Sequence, residues 1–211
     1  MLRLPFKIQK LSLIFLLILL SISSPFAAEP LKIMLYGDSL MAGYGLNQSE
    51  NLSTTLQSKI DNDGIKARII NASVSGNTSS NGLSRLEWSL GDGPDIVVLC
   101  LGANDMLRGL DPEQTKYNLE SIITIIHQGG AEVILAGMHS PINMGAKYQK
   151  QFDQIYPKLA SKHGLVFMPF LLDGVALNKK YLLKDFKHPN ELGIKIIANN
   201  LYPYILQVID K

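Results

Sequence analysis

From Lys32 onward, short unbroken apolar runs alternate with longer segments whose apolar residues recur every three or four positions. Unbroken runs suit strands covered on both faces, and the longer spacing suits helices with one buried side. The pattern predicts strands at Lys32–Gly37, Lys66–Asn71, Asp95–Leu101, Glu132–Met138 and Leu165–Met168. It predicts helices at Glu50–Asp61, Leu83–Leu90, Pro112–Gln128, Lys147–His163 and Pro189–Val208. Leu52, Leu56 and Ile60 share one face of the first helix; Leu119, Ile122, Ile123 and Ile126 share one face of the third. Asp95–Leu101 is the most hydrophobic strand and is expected at the centre. The fourth helix is expected to break or kink at Pro157, because a prolyl ring removes an N–H and crowds the preceding turn. Strict alternation of strand and helix predicts an α/β fold, a parallel sheet with helices on both faces and right-handed crossovers.

The first 28 residues follow another rule. Arg3, Lys7 and Lys10 precede an almost wholly apolar stretch, Leu11–Ile22, and small residues follow at Ser23, Ser24, Ala27 and Ala28. That is the pattern of a secretory signal peptide, so residues 1–28 are read as a leader and 29–211 as one domain. Cleavage after Ala28 leaves Phe26 at the third position back, where a small residue is preferred. An uncleaved anchor is the alternative, although the run is short of the ~20 residues a spanning helix needs.

Composition narrows the classes. A chain of 211 residues, 46% hydrophobic, suits one domain with a substantial core. The formal charge of +2 is inflated by the leader and the body has no run of Lys or Arg, so nucleic-acid binding has no electrostatic support. Cys100 is the single cysteine and lies inside an apolar run, which excludes an intrachain disulfide and suits a buried small hydrophobe. Export without disulfides fits a bacterial periplasmic or secreted protein.

Candidate chemistry gathers at strand ends. The first strand runs into Gly37-Asp38-Ser39-Leu40, which puts a hydroxyl at the carboxyl edge of the sheet where ligands of open α/β folds bind. Loops after the next two strands carry Gly76 and Asn104, and Asp185 with His188 precedes the last helix. Serine is a weak nucleophile without a base beside it, and imidazole is the natural one. Of four histidines, His127 and His163 sit late in predicted helices and read as structural, while His139 could line a pocket. His188 is the best base, placed by Pro189 in the cap region of the last helix, with Asp185 three residues back to hold the ring. Attack on a carbonyl needs donors for an oxyanion; the Ser39 N–H, Gly76 and the Asn104 amide are the candidates. Asp105 is expected to brace its loop. Four Asn-x-Ser/Thr triplets are read as chance, since those at Asn71 and Asn77 would set a glycan beside the site.

These blocks, Gly37-Asp38-Ser39-Leu40, Gly76, Gly102-Ala103-Asn104-Asp105 and Asp185-x-x-His188-Pro189, resemble the four-block pattern of the SGNH (GDSL) hydrolases across nearly the whole mature chain. Finer stretches, among them Asn71–Gly76, Leu101–Gly109 and Ile155–Ala160, resemble the periplasmic branch with thioesterase, arylesterase and lysophospholipase activity. The resemblance implies a three-layer α/β/α sandwich with a five-stranded parallel sheet, flavodoxin-like in kind. It implies Ser39 as nucleophile, Asp185 and His188 as its triad partners, and Gly76 and Asn104 as oxyanion donors. Ala103 departs from the glycine usual in that branch, and Asn77 from a frequent aspartate.

The function expected is hydrolysis of short to medium acyl or aryl esters, with thioesters or lysophospholipids also open, through an acyl-enzyme. The chemistry calls for no metal or cofactor. The expected partner is a small-molecule ester or thioester, with no nucleic acid, no stable membrane insertion after cleavage and a monomeric state. Leu107, Leu110, Met138, Ile142 and Met144 could form an acyl groove or merely cap the core. A carbohydrate O-deacetylase is the alternative enzyme, and a secreted binding module the non-enzymatic one.

Overall fold

The computed structural model describes residues 29–210. The leader expected at residues 1–28 lies outside them. Five strands, β1 (Leu31–Gly37), β2 (Ala67–Asn71), β3 (Ile96–Cys100), β4 (Glu132–Ala136) and β5 (Val166–Met168), form one parallel sheet in the order β2-β1-β3-β4-β5. Ile33 to Tyr36 and all of β3 are buried, as runs covered on both faces must be. The sheet centre is β3, as its hydrophobicity predicted.

Helices α1 (Ser39–Ala42), α2 (Leu52–Asn62), α3 (Ser79–Leu90), α4 (Ala103–Leu107), α5 (Pro112–Gln128), α6 (Ala146–Asp153), α7 (Ile155–His163) and α8 (Glu191–Ile209) complete the main elements. On one side α2 packs against α8; on the other α5 packs between α3 and α7. The result is three layers, α/β/α. Chain order reverses between β1 and β3, whose neighbours β2 and β4 lie on opposite sides, and Gly37 stands level with Cys100. The loops after β1 and β3 therefore leave the sheet side by side, at the switch point where open α/β sheets form a crevice.

Three local expectations need correction. The break in the Lys147–His163 segment falls at Gln154, not at Pro157, which sits in the first turn of α7. A prolyl ring clashes with the carbonyl four residues earlier, here Asp153, and its missing N–H costs nothing in a first turn, so the interruption lands upstream of the proline. Helix α3 begins at Ser79, well before Leu83, because Thr78 and Asn81 form a reciprocal capping box that overrides the loop-like Ser-Ser-Asn-Gly. The last helix starts at Glu191 with Asn190 as its cap, and Pro189 lies outside it, bridged to Leu182.

Gly102 turns the chain from β3 into α4 at φ 112, a region closed to most side chains. A Cβ there would lie 2.4 Å from Tyr156 Oη, a buried hydroxyl that donates to the Leu101 carbonyl. Gly102→Ala is expected to cost about 1–3 kcal/mol through strain and overpacking. Denaturant unfolding checks this, and an unchanged midpoint would mean the turn has slack.

Candidate active site

The turn out of β1 is possible only at glycine: a Cβ on Gly37 would sit 2.7 Å from both the Cys100 carbonyl and Met41 Sδ. Asp38 then caps α1, its Oδ1 accepting from the Leu40 N–H at 3.0 Å. Ser39 is the first residue of the helix, and its N–H has no acceptor among the described residues. Its Oγ is 2.8 Å from His188 Nε2.

His188 is held from three directions. Its Nδ1 lies 2.6 Å from Asp185 Oδ2, while Asp185 Oδ1 accepts the Lys187 and His188 backbone N–H groups at 2.9 and 3.0 Å. One carboxylate oxygen thus fixes the loop and the other fixes the ring. The His188 N–H, then the His188 ring, then the Lys187 N–H hold the Asp185 carboxyl down to about 2, against a smaller opposing effect of burial. The Tyr44 ring packs on the imidazole, with centroids 4.4 Å apart. Asn190 anchors the loop, donating to the Lys180 and Leu182 carbonyls while it caps α8. Ser39, His188 and Asp185, spread across 146 positions of sequence separation from Ser39 to Asp185, so form one hydrogen-bonded chain.

Asn104 stands beside Ser39 on α4 and lines the same cleft. Its Nδ2 donates to the Asn77 carbonyl at 3.0 Å and, at a longer 3.3 Å, to Asp38 Oδ2. Gly76 is exposed at φ 82, with open space where a Cβ would be. It does not line the cleft; it joins the site through its neighbour Asn77, and its carbonyl accepts from Arg108. Asp105 braces from below, accepting Ser79 N at 2.8 Å, Ser79 Oγ at 2.5 Å and Thr115 Oγ1 at 3.3 Å. His139 does line the cleft, and His163 is tied to Glu120 away from it.

Two contributors escaped the sequence reading. Tyr44 is one; no spacing rule places it over His188. Arg85 is the other. Its guanidinium donates to the Gly37 and Ala72 carbonyls and to Asn77 Oδ1, and lies over the Tyr36 ring. It clamps the ends of β1 and β2 and the loop after β2 from beneath. Burial lowers the Arg85 pKa, and the groups it donates to are all neutral. An aspartate at 77 would have given it a counter-charge.

The cleft encloses about 730 Å³. Leu107, Met138 and Ile142 line it, as the groove reading allowed, together with Phe170, Leu172 and Phe186; Leu110 and Met144 do not. A hydroxyl within reach of an imidazole, both lining an apolar cleft, can attack an acyl carbon whose chain lies in that cleft.

Asp38 lies beneath this arrangement, and burial pushes its carboxyl up to about 6 despite the Leu40 N–H, the His188 charge and the Asn104 amide. A raised carboxyl pKa means the folded state binds the proton more tightly, so this group's contribution favours folding below about 4 and turns unfavourable as pH rises through about 6. The stability gap between wild type and Asp38→Asn should move toward the variant by ~3 kcal/mol as pH rises from below about 4 to above about 6, and hold level beyond, whatever its constant offset. Urea unfolding across pH measures it; a gap that stays constant would mean that Asp38 titrates normally.

Known proteins share this sequence and fold. A model of the GDSL-like Lipase/Acylhydrolase family matches residues 35–196. The chain is 38% identical over 159 residues to an arylesterase of Vibrio mimicus, covering 75% of this chain and 80% of that one. It is 37% identical over 174 residues to thioesterase 1/protease 1/lysophospholipase L1 of Escherichia coli K12, covering 82% of each. The crystal structure of the psychrotrophic esterase EstA from Pseudoalteromonas sp., inhibited by monoethylphosphonate, superposes with a TM-score of 0.81 at 31% identity, covering 85% of this chain and 99% of that one. With the matched region running from β1 into α8, over both strand-end loops and the His188 loop, the chain belongs to the GDSL-like lipase/acylhydrolase family.

Proposed function

We propose that this carboxylic ester hydrolase works through Ser39 as nucleophile, with His188 as general base and Asp185 as the group that orients and steadies it. The hydrogen-bonded chain from Ser39 Oγ through His188 to Asp185 carries the reading. His188 Nε2 takes the hydroxyl proton as Oγ attacks the acyl carbon. The imidazolium that forms is steadied by Asp185, which stays an anion down to about pH 2. The oxyanion is met by the Ser39 N–H and the Asn104 amide, with the Gly76 N–H as third donor once the loop after β2, tied to Asn104 through the Asn77 carbonyl, shifts toward the bound ester. Asn104 reaches it by giving up its longer bond, the one to Asp38. His188 then protonates the departing alcohol or thiol, and water, activated by the same imidazole, releases the acid from the acyl-enzyme.

Short to medium acyl esters and aryl esters fit the apolar cleft, with thioesters and lysophospholipids as related substrates. The lining speaks for an acyl chain over a sugar, so carbohydrate O-deacetylation is the second choice. The leader reading places the enzyme in the periplasm or outside the cell, acting as a monomer on small-molecule substrates. A non-catalytic binding role needs a missing nucleophile or base, and both are present.

A panel of aryl esters and acyl thioesters of graded chain length, run beside acetylated sugars, tests the substrate class. Turnover should be highest on the short to medium acyl members, and a clear preference for sugar acetates would overturn that order. Ser39→Ala should abolish hydrolysis of a short aryl ester; residual turnover near wild type removes Ser39 from its role. Asn104→Ala should lower kcat on the order of 10²–10³-fold with a smaller change in KM, the signature of a donor used mainly in the transition state. A loss confined to KM would assign Asn104 to ground-state binding instead.

A further inference from the structure

The mouth of the cleft exposes large apolar side chains. Leu177 is 96% exposed, Ile142 84%, Phe186 58% and Leu107 57%, and all four line the cleft. Leu177 and Phe186 are also the two non-glycine residues with positive φ among the described residues, at 64° and 56°. Bulky side chains avoid that region, and apolar ones avoid water. The chain accepts both penalties twice, at the same rim.

Between and just after these two residues lie Lys179, Lys180, Lys184 and Lys187, all exposed. None makes an ion pair among the described residues. Lys179 Nζ stands 5.3 Å from the Phe186 ring centroid, and Lys187 lines the cleft. The acid between them, Asp185, is committed to His188, and Glu191 beyond them pairs with Lys195. The sequence has no basic run here, but the segment from Leu177 to Lys187 carries four exposed lysines outside any ion pair, two of them at the apolar rim itself.

We propose that this rim docks on an anionic lipid surface. Leu177, Phe186, Ile142 and Leu107 enter the headgroup layer, the lysines meet its negative charge, and an acyl chain passes from the lipid into the cleft without crossing water. A second copy of the chain is the poorer occupant, because a two-fold interface would set the same four lysines against each other. The proposal rests on the reading of the cleft as an acyl-ester site, but docking and catalysis are measured separately.

Co-sedimentation of the purified protein with phosphatidylcholine vesicles, with and without phosphatidylglycerol, tests it. Wild type should bind the anionic vesicles, bind pure phosphatidylcholine weakly, and be released by salt. The triple substitution Lys179→Glu, Lys180→Glu and Lys184→Glu should lower partitioning by roughly tenfold or more, and Leu177→Asp should weaken it too. The triple variant should keep wild-type turnover of a water-soluble aryl ester, which shows that it is folded. Wild type left in the supernatant, or equal binding by the triple variant, overturns the proposal and leaves the esterase reading intact. Sedimentation velocity showing a dimer that the same substitutions dissociate, without vesicle binding, would give the rim to a second copy. Loss of soluble-ester turnover by wild type would strike the esterase reading and leave docking standing or falling on the vesicle data.

Discussion

The register of β1 against β3 is the constraint on which the site depends. Gly37 stands opposite Cys100, at the one place in the sheet where the chain order reverses. The segments leaving β1 and β3 must therefore emerge together, with no helix between them to keep them apart. A slip of one residue would move Ser39 relative to Asn104 by about a strand step, near 3.3 Å, more than a hydrogen bond tolerates. Two glycines protect the register by allowing close approach: Gly37 against the Cys100 carbonyl, and Gly102 against Tyr156.

Polar groups beneath the loops keep them in place, and they do so with few paired charges. Asp38 and Asp105 are buried, and each meets donors from neighbouring elements: Asp38 from α1 and Asn104, Asp105 from Ser79 and Thr115. Arg85 is tied to backbone carbonyls and to the Asn77 amide. Every buried side-chain nitrogen and oxygen among the described residues has a partner. Satisfied networks of this kind are stiff, because moving one member strands another without water to replace it. Stiffness is useful under a site whose upper rim is open loop.

That rim is where this chain departs from a plain α/β core. Backbone left in the left-handed region at Leu177 and Phe186 is a local cost that packing does not recover. The fold accounts for the hydroxyl and the imidazole meeting; it does not select the acyl group or the surface from which it comes. Much of the cleft's apolar lining comes from the segment between β5 and α8, which has little regular structure of its own.

The layered architecture, the central strand and the meeting of Ser39, His188 and Asp185 were legible in the amino-acid order. Strand burial writes itself as unbroken apolar runs, and Ser39, Asn104 and His188 lie next to turn signals at strand or helix ends. The same reading misplaced the break near Pro157 and the start of α8 beside Pro189, since a proline limits where a helix can run without fixing where it stops. It named Gly76 as an oxyanion donor, and the structure joins that residue to the cleft through Asn77. It missed the early start of α3, although Thr78 and Asn81 were there to be read as a cap. Tyr44 over His188, Arg85 under the ends of β1 and β2, and the lysines beside the cleft came only with the folded chain. Each depends on distances between segments far apart in the chain, and such distances exist only once the sheet has set its register.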